Sequence, residues 1–367
     1  METLHVGVDV SKEKFNYAIL RNGNKLKEDQ QKIDYTGMHW IRGDIEVLRR
    51  QGEIVNIYIE QTGIYAIPLI KFFLESGYRV FLVDGGRFNQ WIKLKGGKKT
   101  DKKDAENLAL YGIAGLPTRE IELKDLVIFE LKQLITHRER LLKEINGTMN
   151  YLRQLVETEY PSLRYQPKTK LWRIVKNRQE QEYSTMMGFK ALKWIIKEQR
   201  DKLLYLEEML KDVEEAIEEF LKKYFKEDAE VLRSFGFRKT AGYLIATYGD
   251  ITRFKNVKKF KKYMGLANAP AQSGKSEKER RTYNNKHIRK ILYMYVVQNL
   301  RHENEVKRYY EKLIERGVKK KKKAIMKTAS KVLEWIYYAL KNKTLYDLSW
   351  LECLEEANNE TQQKDIG

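Results

Sequence analysis

Residues 5–33 leave little choice of local structure. The stretch HVGVDVSKEKFNYAILRNGNKLKEDQQKI alternates apolar and polar side chains in short runs, the period of a strand with one buried face. Asn22-Gly23 separates two of those runs with the residue pair that most readily adopts the positive φ angles of a two-residue hairpin. An antiparallel three-strand meander is the expected result. Helical material is predicted from about Thr36 to Gln51, then a strand in IVNIYIE, a helix in IPLIKFFLESG closed by Gly77, and a strand in YRVFLVD. Strands first, then alternating helix and strand, predicts an α/β layer built on a mixed sheet.

That sheet carries acids in unusual places. Asp9 lies inside VGVDV, where a buried carboxylate is costly unless it is paired or bound to a metal. Glu60 ends the apolar run IVNIYIE in the same way. If the strands holding them are neighbours, both acids emerge at one edge of the sheet. Downstream, KTDKKDAENLA places Asp101 at a predicted helix N-cap and Asp104 three residues on, so that the two share a helix face. Alone, each of these has a structural explanation, as a cap or a partner of the helix dipole. Together, four convergent carboxylates repel by roughly 4 kcal/mol per pair at about 4 Å and an effective dielectric near 20, and cations relieve that repulsion. Oxygen-only ligands select Mg²⁺ or Mn²⁺, and two such ions are a standard device for in-line attack on a phosphodiester.

The rest of the chain is helical in pattern and basic in charge. Apolar residues recur at three- and four-residue steps from about Leu123 to Val156, through Leu131, Leu134, Leu141, Ile145, Met149 and Leu152, and Tyr160-Pro161 ends the run. After a polar, basic connection, Leu203, Leu206, Leu210, Val213, Ile217 and Phe220 recur at heptad spacing. Two long helices are predicted, forming an antiparallel hairpin or an intermolecular coiled coil. From Ala229 the pattern changes to short helices and loops, with a helix near Ala329 to Lys341 and a polar tail after Glu355. The lysine run Lys319 to Lys323 reads as a solvated loop or helix face.

The formal charge is +20, from 71 Lys+Arg against 51 Asp+Glu. Residues 251–300 hold 13 Lys+Arg against 2 Asp+Glu, more than half of that surplus. No apolar run approaches the roughly 20 residues that span a bilayer, and the chain does not open on a signal peptide. Nucleic acid is therefore the favoured polyanion, with no membrane partner. The single cysteine, Cys353, excludes an internal disulfide and a thiolate zinc cage, and fits a reducing cytoplasm.

The segments VGVDVSKEKF, YIEQTGIYAIPLIKFFLESGYRVFLVD and KTDKKDAENLA resemble the RuvC-like, ribonuclease H-fold domain of the insertion sequence 110 family, the DEDD transposases. The family's four acids fall in order on Asp9, Glu60, Asp101 and Asp104. The stretch from LRSFGFRKTAGY to NNKHIRKILY is similar to the family's C-terminal transposase domain, with Phe235-Gly236-Phe237-Arg238 at the place of its helix-hairpin-helix turn. The resemblance implies a serine nucleophile at Ser273, in APAQSGKS, with Ser276 as the competing position. It also implies a guide RNA encoded by the element, and action of one subunit's metal site beside the serine of another.

The chain is thus expected to be an RNA-guided DNA recombinase in three parts: a RuvC-like metal-dependent domain at 1–118, a helical coiled-coil linker and dimerisation region at 119–228, and a C-terminal transposase domain at 229–355, before a tail at 356–367. Asp9, Glu60, Asp101 and Asp104 would hold two Mg²⁺ (or Mn²⁺). Lys275, Arg280, Arg281, Lys286, Arg289 and Lys290 would contact nucleic acid. Element DNA, target DNA, a guide RNA and further copies of the chain, as dimer or tetramer, are the expected partners, in a prokaryotic cytoplasm at the nucleoid. Two rivals are a Holliday-junction-type metal nuclease that uses water as nucleophile, and an inactive nucleic-acid-binding scaffold.

Overall fold

The computed structural model describes residues 2–60, 63–95, 101–183, 186–266, 268–269, 280–281 and 285–347; of residues 101, 102, 181, 183, 268, 269, 280 and 281 it describes the backbone alone. Ser273, Lys275, Ser276, Cys353 and the polar tail lie outside the described residues. The chain divides between Val127 and Ile128 into two compact units.

The first unit opens with β1 (Thr3–Val10), β2 (Lys14–Arg21) and β3 (Asn24–Lys32). Asn22 and Gly23 both take positive φ, 50° and 81°, and make the hairpin turn between β2 and β3. There follow α1 (Tyr35–Leu48), β4 (Ile54–Glu60), α2 (Ile67–Glu75), β5 (Arg79–Val83), α3 (Gly85–Leu94), α4 (Asp101–Ile113) and β6 (Thr118–Ile121). The sheet runs in the order β3-β2-β1-β4-β5-β6. β1, β4 and β5 are parallel; β2 is antiparallel to β1 and β3, and β6 is antiparallel to β5, which makes the sheet mixed as expected.

Alternation divides the sheet between two layers. Leu4, Val6 and Val8 of β1, with Val55, Ile57 and Ile59 of β4, pack with Ile41 and Ile45 of α1 and Leu69, Ile70 and Phe73 of α2. On the other face, Tyr58 and Val83 pack with Phe88 and Ile92 of α3 and Leu108 and Tyr111 of α4, and Ala18 and Leu20 meet Ala105 and Ala109. Helix α1 begins where Asp34 accepts a bond from the Gly37 amide at 2.8 Å, and it stops at Leu48, short of the predicted Gln51.

The second unit takes most of α5 (Leu123–Glu159), then α6 (Lys168–Lys176), α7 (Glu180–Tyr183) and α8 (Lys190–Tyr224). The two long predicted helices are α5 and α8, and they run antiparallel within one chain: Arg138 pairs with Glu214 at 2.7 Å, and six residues further along α5, Glu144 pairs with Lys202 at 2.9 Å. Leu141, Ile145, Leu152 and Val156 share a core with Ile196, Leu203 and Leu206. The polar, basic connection between them is partly helical, because Leu171, Ile174 and Val175 of α6 bury into that core.

Beyond α8 come α9 (Lys226–Ser234), α10 (Ala241–Tyr248), α11 (Val257–Tyr263), the two-residue strands β7 (Asn268–Ala269) and β8 (Arg280–Arg281), then α12 (Lys286–Asn299), α13 (Glu305–Glu315) and α14 (Lys321–Asn342). Helix α14 is the axis of this part, with Val332, Leu333, Trp335 and Ile336 in a core shared with α9 to α12. It is far longer than the predicted Ala329 to Lys341. Three of the five lysines form its first turn, where the helix dipole disfavours cations. The buried face of Ala324, Ile325, Thr328 and Ala329 outweighs that cost by packing. Among the described residues no helix is long and apolar enough to cross a membrane.

Candidate active site

The register of β1 and β4 settles where the first two acids stand. The strands are parallel neighbours, with Gly7 opposite Tyr58 and Val8 opposite Ile59. Asp9 and Glu60 are therefore the next pair, at the C-terminal ends of adjacent strands and on the same side as Gly7 and Tyr58. That side is covered by α4. A methyl group at Gly7 would overlap the carbonyl oxygen of Ala105 and crowd the amide of Ala109, so β1 and α4 approach as closely as backbones can.

Directly before Ala105, α4 carries Asp104, which is 2% exposed. Asp9, Glu60 and Asp104 thus share the layer between the sheet and α4. Asp101 is the first residue of α4 and not the cap preceding it, and its side chain lies outside the described residues. Among the described residues no three His, Cys, Asp or Glu side chains close around a point that could hold a metal.

Neighbours complete the site. Asn16 of β2 is paired with Asp9 across the antiparallel ladder and is 5% exposed, and its side-chain oxygen accepts a bond from Gln30 at 2.7 Å. Gly85, the first residue of α3, lies against the Glu60 carboxylate; a methyl there would collide with Oε1. Further down the same face, His5 Nδ1 and the Tyr58 hydroxyl are 3.1 Å apart and their rings stack. Burial holds the His5 imidazole below its ordinary 6.5, so it is neutral at pH 7. Gly7, Asn16 and Gly85 went unrecognised in the sequence; the signal was a small or amide residue at a strand position that faces the same way as Asp9, or just past the end of β5.

The donor set is all oxygen, held on rigid elements, which suits a hard divalent cation. Mg²⁺ is commonly held by one or two carboxylates, with water and substrate phosphate filling its other positions. Asp9 and Glu60 fit that pattern, and Asp104 adds a third acid in the same layer.

In the second unit, the turn between α9 and α10 stands at the place of the expected helix-hairpin-helix turn, a kind of turn that can present backbone N–H groups to a phosphate. Gly236 has φ 93°, a conformation suited to glycine. Its amide, with those of Phe237 and Arg238, donates to the carbonyls of Arg233, Leu232 and Gly236, so these three N–H groups are engaged within the turn. Of the residues expected to contact nucleic acid, Arg280 and Arg281 pair as β8 with β7, and Lys286 and Lys290 are exposed on α12. Arg289 instead donates to the Gly265 carbonyl at 3.1 Å and ties α12 to the end of α11. Thus α12 offers two of its three basic residues to solvent.

Residues 6–161 match a family model described as "Transposase", that of the DEDD transposases of IS110 type, and residues 235–311 match "Transposase IS116/IS110/IS902 family". A comparison with curated protein sequences finds no match. Among solved structures, the chain is similar to T. thermophilus RuvC in complex with Holliday junction substrate, at 13% identity and a TM-score of 0.25, over 32% of this chain and 99% of that one.

Proposed function

The chain belongs to the IS116/IS110/IS902 family of transposases, and from that premise we propose that it cuts and rejoins DNA at a two-metal carboxylate site assisted by a serine nucleophile. It is a DNA transposase, and DNA is its partner. The observation that carries the site assignment is the placement of Asp9 and Glu60 at adjacent parallel strand ends beneath the helix that bears Asp104.

Asp9, Glu60, Asp101 and Asp104 would hold two Mg²⁺ (or Mn²⁺), which supply charge neutralisation at the attacked phosphate and its leaving oxygen. The chain's own part is positional. The parallel ladder fixes the Asp9 and Glu60 backbones, Asn16 fills the space beside Asp9, and Gly85 leaves room for the Glu60 carboxylate. Ser273 is the proposed nucleophile: its oxygen bonds to phosphorus, its proton passes to a base, and one DNA oxygen departs with a proton. Lys275, Arg280, Arg281, Lys286 and Lys290 supply phosphate contacts in the most basic stretch of the chain. A guide RNA pairs with the DNA and sets the sequence. The protein works as a dimer or tetramer, with the α5–α8 pair as the coiled-coil interface between copies. This reading keeps the three-part division at 118 and 228.

The test incubates wild type, Ser273→Ala and Asp9→Asn with Mg²⁺, RNA transcribed from the element's flank and labelled junction DNA, followed by denaturing electrophoresis. A protein-linked DNA band in wild type alone is the expected result. Cutting without a linked band, undiminished in Ser273→Ala, would mean that water is the nucleophile. Metal-independent binding with no cutting would identify a scaffold.

A further inference from the structure

The matched family segments stop at Pro161 and resume at Phe235, so the chain that joins α5 to α8, and α8 itself, lie outside both. The end of the pair where that chain lies is not bland. Residues 161–198 hold nine Lys+Arg against three Asp+Glu, a second basic region remote in sequence from 251–300. Large aromatic side chains stand out from it. Tyr165 is 88% exposed, Trp194 65% and Phe189 53%.

The end is built to hold its shape. Glu159, fully buried at the last turn of α5, accepts the amides of Gly188 at 3.0 Å and Phe189 at 3.1 Å, and its own carbonyl accepts the Met187 amide at 3.0 Å. This clip seats the start of α8 beside the end of α5. Buried beneath, Arg200 of α8 pairs with Glu180 of α7. The short 3-10 turn Pro161–Tyr165 follows α5 directly, so Tyr165 and Phe189 leave the clipped point from two strands of chain. Around them, Arg164, Lys168, Arg173, Lys190 and Lys197 are exposed.

We infer that this end of the helical pair binds an unpaired stretch of nucleic acid, its bases stacking on Tyr165, Phe189 and Trp194 and its phosphates meeting the surrounding lysines and arginines. A duplex hides its base faces, and a protein surface gives no reason for a threefold excess of cations. Rigidly placed aromatics interleaved with cations are what flexible single strands recognise. The inference stands on residues outside the catalytic reading, and its test reads binding, so either can fail without the other.

Full-length wild type is compared with Tyr165→Ala/Phe189→Ala/Trp194→Ala by fluorescence anisotropy, on a labelled oligouridylate, the oligothymidylate of equal length and a blunt duplex. The combined variant is expected to lose about tenfold or more in affinity for the single strands while duplex affinity stays within about twofold. A loss confined to the oligouridylate identifies RNA as the ligand, and equal losses identify unpaired strands of either sugar. Lys168→Gln/Lys190→Gln/Lys197→Gln is expected to flatten the salt dependence of single-strand binding by about two units of log–log slope, and an unchanged slope overturns the inference. Unchanged single-strand affinity in the aromatic variant, or an equal loss on the duplex, overturns the inference. If sedimentation shows that the aromatic variant only breaks self-association, the surface serves a second copy and the inference fails.

Discussion

Asp104 and Glu180 are both acids with almost no exposure, 2% and 4%, one in each unit. Glu180 faces the guanidinium of Arg200 and ties two helices of the second unit together. Asp228 does the same there, accepting from the Tyr248 hydroxyl at 2.7 Å and from Lys343. Asp104 shares its layer with two further acids at strand ends, Asp9 and Glu60. In the second unit buried charge is spent on holding helices in place; in the first it is gathered at one edge of a sheet, where parallel strands deliver side chains side by side. Acids matched to cations one by one make structure. The three acids of the first unit are the ones proposed above to hold a metal.

This contrast is open to direct attack. The largest effect is expected from Asp9→Asn, which should lower strand cutting by on the order of 10²–10³ or more while the thermal melt stays near wild type. Equal loss of stability and activity would make Asp9 structural. Glu180→Ala should do the reverse, costing about 3–5 kcal/mol in denaturant unfolding because it leaves Arg200 buried without its partner. Replacing both by leucine and methionine should restore most of that loss. Smaller is the effect of Gly85→Ala. Gly85 is not in the left-handed region, so alanine suits the backbone, but its methyl displaces the Glu60 carboxylate; a fall of about 100-fold in cutting with an unchanged melt is expected from a misplacement of this size.

The smallest concerns Glu53, an acid of the first unit used in the manner of the second. Arg21 donates to it at 2.9 and 2.8 Å and holds its carboxyl below the usual 4.5. A depressed acid stabilises the fold above its unfolded value and loses that contribution as pH falls through the folded one. Wild type should therefore lose about 1.5 kcal/mol as pH falls below about 4.5, and Glu53→Gln should lack that share of the acid sensitivity. An unaltered acid profile in the variant would place the sensitivity elsewhere.

Sequence pattern revealed the acids better than their surroundings. A carboxylate inside VGVDV or at the end of IVNIYIE contradicts its neighbours, and that contradiction was visible. Gly7, Asn16 and Gly85 contradict nothing locally; their meaning comes from α4 and α3 lying against them, which periodicity does not report. Helix α3 opens on two glycines and β6 is four mostly polar residues, so neither carried a signal, while the lysine run concealed the start of α14. The meander and its Asn22-Gly23 turn were legible because every local preference there agreed. Ser273 rested on resemblance alone.

The antiparallel course of α5 and α8 gives this chain a ruler. Adding a whole heptad to each helix would carry their far end outward by about 10 Å while leaving the sheet, α4 and the helices from α9 onward as they are. The distance from the catalytic unit's sequence to the far end of the pair can therefore change by insertion alone.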